Sequence, residues 1–167
     1  MKKNYFYFIL VFNVFFSFGQ SFDEKIEQLI NENINETIDL RHWFHENAEL
    51  SNREFKTASR IAEELEKIGY KPVTGVAKTG VVAILNAGKP GPVVGLRADI
   101  DGLPVKERAN IPWASKMKGI YNGEEVPVMH ACGHDMHTAI LLTTAKILYE
   151  IKDEMRENRI SMLSRFK

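Results

Sequence analysis

At Gly69 the spacing of apolar residues changes from helical to extended, and that change restricts the chain to folds that mix helices with a sheet. Upstream, Ile26, Ile30, Ile34 and Ile38 recur every four positions between Phe22 and Phe44, joined by Leu29, Leu40, Trp43 and Phe44, which predicts an amphipathic helix. Ser51 and Glu54 have the spacing of a capping box. They precede a second helical stripe of Phe55, Ala58, Ile61, Ala62, Leu65 and Ile68 that Gly69 stops. Downstream come β-branched runs at Val73–Val76, Val81–Leu85 and Val93–Ile100. The Ala87–Pro92 turn between the last two predicts that they pair as a hairpin, and the unbroken Val93–Leu96 run predicts a strand buried on both faces.

Residues 102–129 read as a long irregular stretch, of a length that tends to be functional or disordered. A very apolar helix then begins near Thr138. Helices, a strand pair, a core strand and a further helix predict an α/β fold, part of an α/β/α sandwich. Asp153–Lys167 is a charged tail in which no further strand is expected. The sheet is therefore expected to keep an open edge, as in the N-terminal part of a larger domain running over residues 20–152.

The first residues stand apart. A basic Lys2-Lys3 start, an apolar run from Tyr5 to Phe18 and small residues before Gln20 predict a signal peptide over residues 1–19, with export to the periplasm or the medium. The run, about 14 residues, is shorter than the roughly 20 a spanning helix needs, so no stable membrane anchor is expected. Lys plus Arg and Asp plus Glu number 22 each, which leaves no broad field to attract nucleic acid or an anionic membrane. A single cysteine, Cys132, excludes an internal disulfide.

Chemistry concentrates in Met129–His137, where three histidines, that cysteine and Asp135 fall within one short segment. Along an extended backbone alternate residues point the same way, so His130, Cys132 and His134 can converge, with Gly133 allowing a tight turn. Thiolate and imidazole suit zinc and its first-row neighbours. Asp99 and Asp101 end the predicted core strand, at the sheet edge where α/β sites are built. Two other readings stay open from the residues alone: a cysteine nucleophile with a histidine base, and a non-catalytic metal-binding or interaction module.

Three ordered blocks carry a resemblance. The segment from His130 to Ala139, the segment from Gly95 to Pro104, and the segment from Arg41 to Leu50 followed by Glu54 and Thr57 resemble the M20 family of metal-dependent amidohydrolases and peptidases. The resemblance implies a zinc-peptidase-like catalytic domain, here without its later strands or its small dimerisation domain. It implies two divalent metal ions per complete site (Zn, Mn, Co or Ni), with Cys132 and His134 as ligands. It also implies Asp101 as an aspartate close to a metal-binding histidine, although Asp99 stands where other members have that histidine. The implied substrates are N-acyl amino acids or peptide-like conjugates, and the implied complete protein is a homodimer. Ala48 departs from the proline usual in the first block. A later Glu-Glu pair and two later histidines are not among these residues, so the 167-residue chain alone is expected to be inactive. Glu124-Glu125 precedes the cysteine block and reads as a solvated pair.

Overall fold

The computed structural model describes residues 21–86, 92–155 and 159–164, the last through its backbone only. The expected signal peptide, most of the Ala87–Pro92 turn and parts of the 153–167 stretch lie outside the described residues. Helix α1 runs Phe22–Glu46 and α2 Phe55–Ile68. Strands β1 (Val73–Val76), β2 (Gly80–Asn86) and β3 (Val93–Ala98) follow. A small hairpin, β4 (Lys118–Tyr121) and β5 (Glu124–Pro127), precedes α3 (His134–Glu150) and β6 (Arg159–Ser164).

The sheet order is β1-β2-β6-β3, which corrects two expectations. A strand does follow the Thr138 helix, and it lies between the two runs expected to form a hairpin: β6 pairs antiparallel with β2 and parallel with β3. Parallel pairing needs a crossover, and α3 supplies it by carrying the chain from β3 over the sheet to β6. The strand is short and sits in charged sequence, so its pattern is weak.

Nor is Val93–Leu96 buried on both faces. β3 is an edge strand among the described residues, with Val93 and Val94 exposed, and burial begins only at Ala98 and Ile100 near its C-terminal end. On β2 the alternation is clean: Val81, Ala83 and Leu85 enter the core beneath α2 and α3, while Ile84 faces outward.

The helices differ from their sequence patterns in detail. On α1 the isoleucine ladder at Ile30, Ile34 and Ile38 is exposed, and Leu29, Asn33, Leu40 and Phe44 are buried. Residues four apart overshoot one helical turn by about 40°, so such a ladder drifts around the cylinder while α3 contacts a straighter stripe. Helix α2 does not use the Ser51/Glu54 box. Glu54 is its N-cap without a capping side-chain bond, and the Glu49 carboxylate instead accepts the N–H groups of Lys56 at 3.2 Å and Thr57 at 2.7 Å. Glu54 is wholly buried and accepts a hydrogen bond from Thr79. A capping box forms at Ser21–Glu24 of α1. At the other end of α2, Gly69 closes the helix in the left-handed region (φ 113°), as expected.

The 102–129 stretch is less irregular than it reads. Asn122 and Gly123 both take positive φ and turn the β4–β5 hairpin, the Asn-Gly signature of a tight turn. Glu124 and Glu125 lie on β5 and are exposed, Glu125 pairing with Lys118.

Candidate metal centre

The donor segment lies where β3 ends, where the hairpin rejoins the body and where α3 begins. Asp101 is fixed first. The Gly102 N–H donates to the Glu49 carbonyl at 2.6 Å, and Leu103 exchanges backbone bonds with Met129. Gly102 is needed there because a β-carbon would come within 2.9 Å of Val128 Cγ1 and 3.1 Å of Ala48 Cβ. Ala48 thus packs behind the site, in the small cluster with Leu50 and Val128.

Asp101, 4% exposed, meets the His134 ring: Nδ1 lies 2.9 Å from Oδ1 and 3.1 Å from the Asp101 carbonyl. Nδ1 is the donor in this arrangement, which leaves Nε2 as the nitrogen with a free lone pair. His134 is the first residue of α3, and Gly133 before it takes a left-handed φ of 83°. Thr138 closes the first turn, its hydroxyl donating to the His134 carbonyl at 2.8 Å. Cys132 is a free, exposed thiol one residue before the glycine. Asp99 does not join the pair; it is partly exposed and bonded to Arg97.

The expected convergence of His130 with Cys132 and His134 is not found. His130 is buried beneath the turn with neither ring nitrogen hydrogen-bonded, and burial pushes its imidazole down to about 4. Among the described residues no three of His, Cys, Asp and Glu gather into a group able to hold a metal ion. A thiol open to solvent and an imidazole whose tautomer is set by a buried carboxylate nevertheless fit a borderline-soft divalent ion as two of its ligands.

Beside this turn lies a buried polar network that the sequence expectations do not include. Asp135, 2% exposed, bonds through Oδ2 to Arg41 Nε at 3.1 Å and to His45 Nδ1 at 2.9 Å. His45 Nε2 meets Glu107 Oε2 at 2.8 Å. Glu107 in turn accepts the backbone N–H groups of Arg108 and Ala109. The Ala109 N–H and then His45 hold its carboxyl below the usual glutamate range. Arg41 and His45 lie one turn apart on α1, and that i, i+4 spacing inside the first block was the available signal. His42, adjacent in sequence, points elsewhere and stacks on Trp113 with ring centroids 3.6 Å apart.

Residues 95–163 match the sequence profile of Peptidase family M20/M25/M40. Over 109 residues the chain is 45% identical to the hippurate hydrolase of Campylobacter jejuni, covering 65% of this chain and 26% of that protein. It is 44% identical over 119 residues to the N-acyl-L-amino acid amidohydrolase of Geobacillus stearothermophilus, covering 71% of this chain and 30% of the relative. The crystal structure of the Bacillus subtilis YXEP protein, a dinuclear metal-binding peptidase from the M20 family, superposes on 80% of this chain and 35% of its own. The TM-score is 0.71 at 35% identity. The chain thus spans about a third or less of the proteins it matches.

Proposed function

This chain belongs to the M20 peptidase family, and from that premise we propose that the whole protein hydrolyses the amide bond of N-acyl amino acids or related small conjugates, with Cys132 and His134 among the ligands of its metal ions. The observation that carries the reading is the His134 ring held at Nδ1 by buried Asp101, two residues from an exposed thiol. Hippurate is itself an N-acyl amino acid, and two relatives are named for hydrolysis of this substrate class.

A divalent metal held in part by Cys132 and His134 would supply Lewis acidity toward a carbonyl and a lowered pKa for bound water. The chain's own contribution is positional. Asp101 selects the His134 tautomer, Gly102 lets Asp101 approach, and Thr138 with Gly133 shapes the turn that presents both donors. Zn, Mn, Co and Ni all accept an imidazole, and the thiolate favours the softer of them. The 167-residue chain alone is proposed to be silent, because two donors close neither a dinuclear site nor a dry pocket. The N-terminal segment is proposed to direct export, on the Lys2-Lys3 start and the Tyr5–Phe18 run.

A chimera tests the main reading. The matching stretch of the C. jejuni hippurate hydrolase is replaced by this chain's, and metal content and hippurate hydrolysis are measured. Cys132→Ala and His134→Ala should each abolish turnover and lower metal content, while His42→Ala, which loses only a ring stack, should retain both. Full rate with Cys132→Ala would remove the ligand assignment. For export, N-terminal sequencing of the secreted form should begin at Gln20, and a mature chain that keeps Tyr5–Phe18 would remove that proposal.

A further inference from the structure

The Cys132–Gly133–His134 turn precedes a helix that has no side-chain N-cap: Gly133 is the cap residue and contributes none. The usual device for fixing a helix start is therefore missing at the place where two donors must be held still. What replaces it is the side chain of Asp135, the second residue of α3, which reaches back to α1. Its two partners, Arg41 and His45, come from successive turns of α1. Helices α1 and α3 pack along their length, so this grip ties the donor turn to the most extensive helix pair of the described fold.

His45 differs from Arg41 in having a second engagement. Its Nε2 faces Glu107, which organises the Glu107–Ala109 stretch through two backbone N–H groups, both at 2.8 Å. One imidazole, 6% exposed, thus joins α1, the start of α3 and the long connection after β3. Both of its acceptors are carboxylates. Its two ring nitrogens face them in opposite directions from one rigid plane. Arg41 Nε and the two His45 ring nitrogens face the Asp135 and Glu107 carboxylates, so each buried carboxylate meets nitrogen partners.

We propose that His45 is a positioning residue for the metal centre: through Asp135 it sets the orientation of the Cys132–His134 turn, and through Glu107 it locks the Glu107–Ala109 stretch against the same point. The inference rests on the reading of Cys132 and His134 as metal ligands. His45 touches neither donor, and its effect is on their placement. Donor sets tolerate displacements of only about 0.5 Å before affinity falls, which is why a residue at this remove matters.

The test is a Co²⁺ titration of the full 167-residue chain, followed by thiolate-to-cobalt charge-transfer absorption, with circular dichroism giving the folded fraction. His45→Gln, which has one nitrogen where the imidazole has two on opposite sides, should raise the half-saturating cobalt concentration about tenfold, as loss of an outer-shell partner does. Leu65→Ala, a core truncation away from the site, should lower the melting temperature and leave half-saturation of the folded fraction unchanged. Glu107→Gln keeps the Asp135 contact and should weaken binding by less, which decides the matter if His45→Gln does not fold. Wild-type half-saturation in a folded His45→Gln, or in Glu107→Gln when the first does not fold, overturns the positioning role alone. A shift in Leu65→Ala equal to that in His45→Gln does the same, since it makes the effect one of stability. A wild-type chain that shows no more thiolate band than Cys132→Ala removes the ligand reading, and the positioning role with it.

Discussion

A buried carboxylate or imidazole is costly unless it finds partners, and Asp101, Asp135, Glu107 and His45 meet that requirement by sharing theirs. Asp101 serves His134, Asp135 serves Arg41 and His45, and Glu107 serves His45 together with two backbone N–H groups. The Glu107 bonds carry a pH dependence with a definite sign. Its carboxyl is held below the usual glutamate value by the Ala109 N–H and by His45. Its contribution to stability is therefore complete above the unfolded value, about 4.3, and is lost as the pH falls through the lower folded value. Amide exchange of Arg108 and Ala109, corrected for intrinsic rates, should show steady protection from neutral pH to about 5 and a decline below 4. In Glu107→Gln that acid-dependent decline should vanish. Protection already declining between pH 7 and 6 would show that another group governs these amides. Cys132 and His134 stand out in the sequence because their types and spacing suit metal chemistry, and Asp101 because it ends a predicted strand and falls in one of the family blocks. His45 and Asp135 lie 90 positions apart, and no local pattern announces that they touch.

At the scale of elements, the start of α2 shows how a distant side chain replaces a local motif. The capping box spelled by Ser51 and Glu54 goes unused because Glu54 is drawn into the core to meet Thr79, and Glu49 caps the helix from outside it. Glu49 also accepts the Thr57 hydroxyl at 2.9 Å. Glu49→Ala should therefore cost about 1–2 kcal/mol in chemical denaturation, the range of a lost N-cap, whereas Ser51→Ala should cost much less. Equal losses from the two substitutions would return the cap to Ser51. The strands follow the same logic. The β2 alternation is local and was readable, whereas the neighbour of β2 depends on where α3 delivers the chain.

Across the whole molecule, the described fold buries one face of its sheet and leaves apolar groups at its margins. Val93, Ile84, Ile30, Ile34 and Ile38 are each more than 40% exposed, on the β3 edge, the outer sheet face and the outer side of α1. An unpaired edge strand next to exposed valines is a template for association. The isolated 167-residue chain should therefore sediment as concentration-dependent oligomers and bind a hydrophobic dye, and purified with zinc, manganese or cobalt it should not hydrolyse hippurate. A monodisperse monomer at high concentration would contradict the first part, and turnover comparable to a complete family member would contradict the second. The sequence by itself determined the α/β class, the stop of α2 at Gly69, the Cys132 and His134 pair from which a metal site is proposed, and the family blocks, because all of these rest on periodicity, turn chemistry and residue identity within a few positions. Only the tertiary structure decided that β6 lies between β2 and β3, which face of α1 is covered, that His130 is buried apart from the donors, and that His45 joins Asp135 to Glu107. Those features depend on which distant segments share the limited interior, where most buried polar groups are met by partners from other elements.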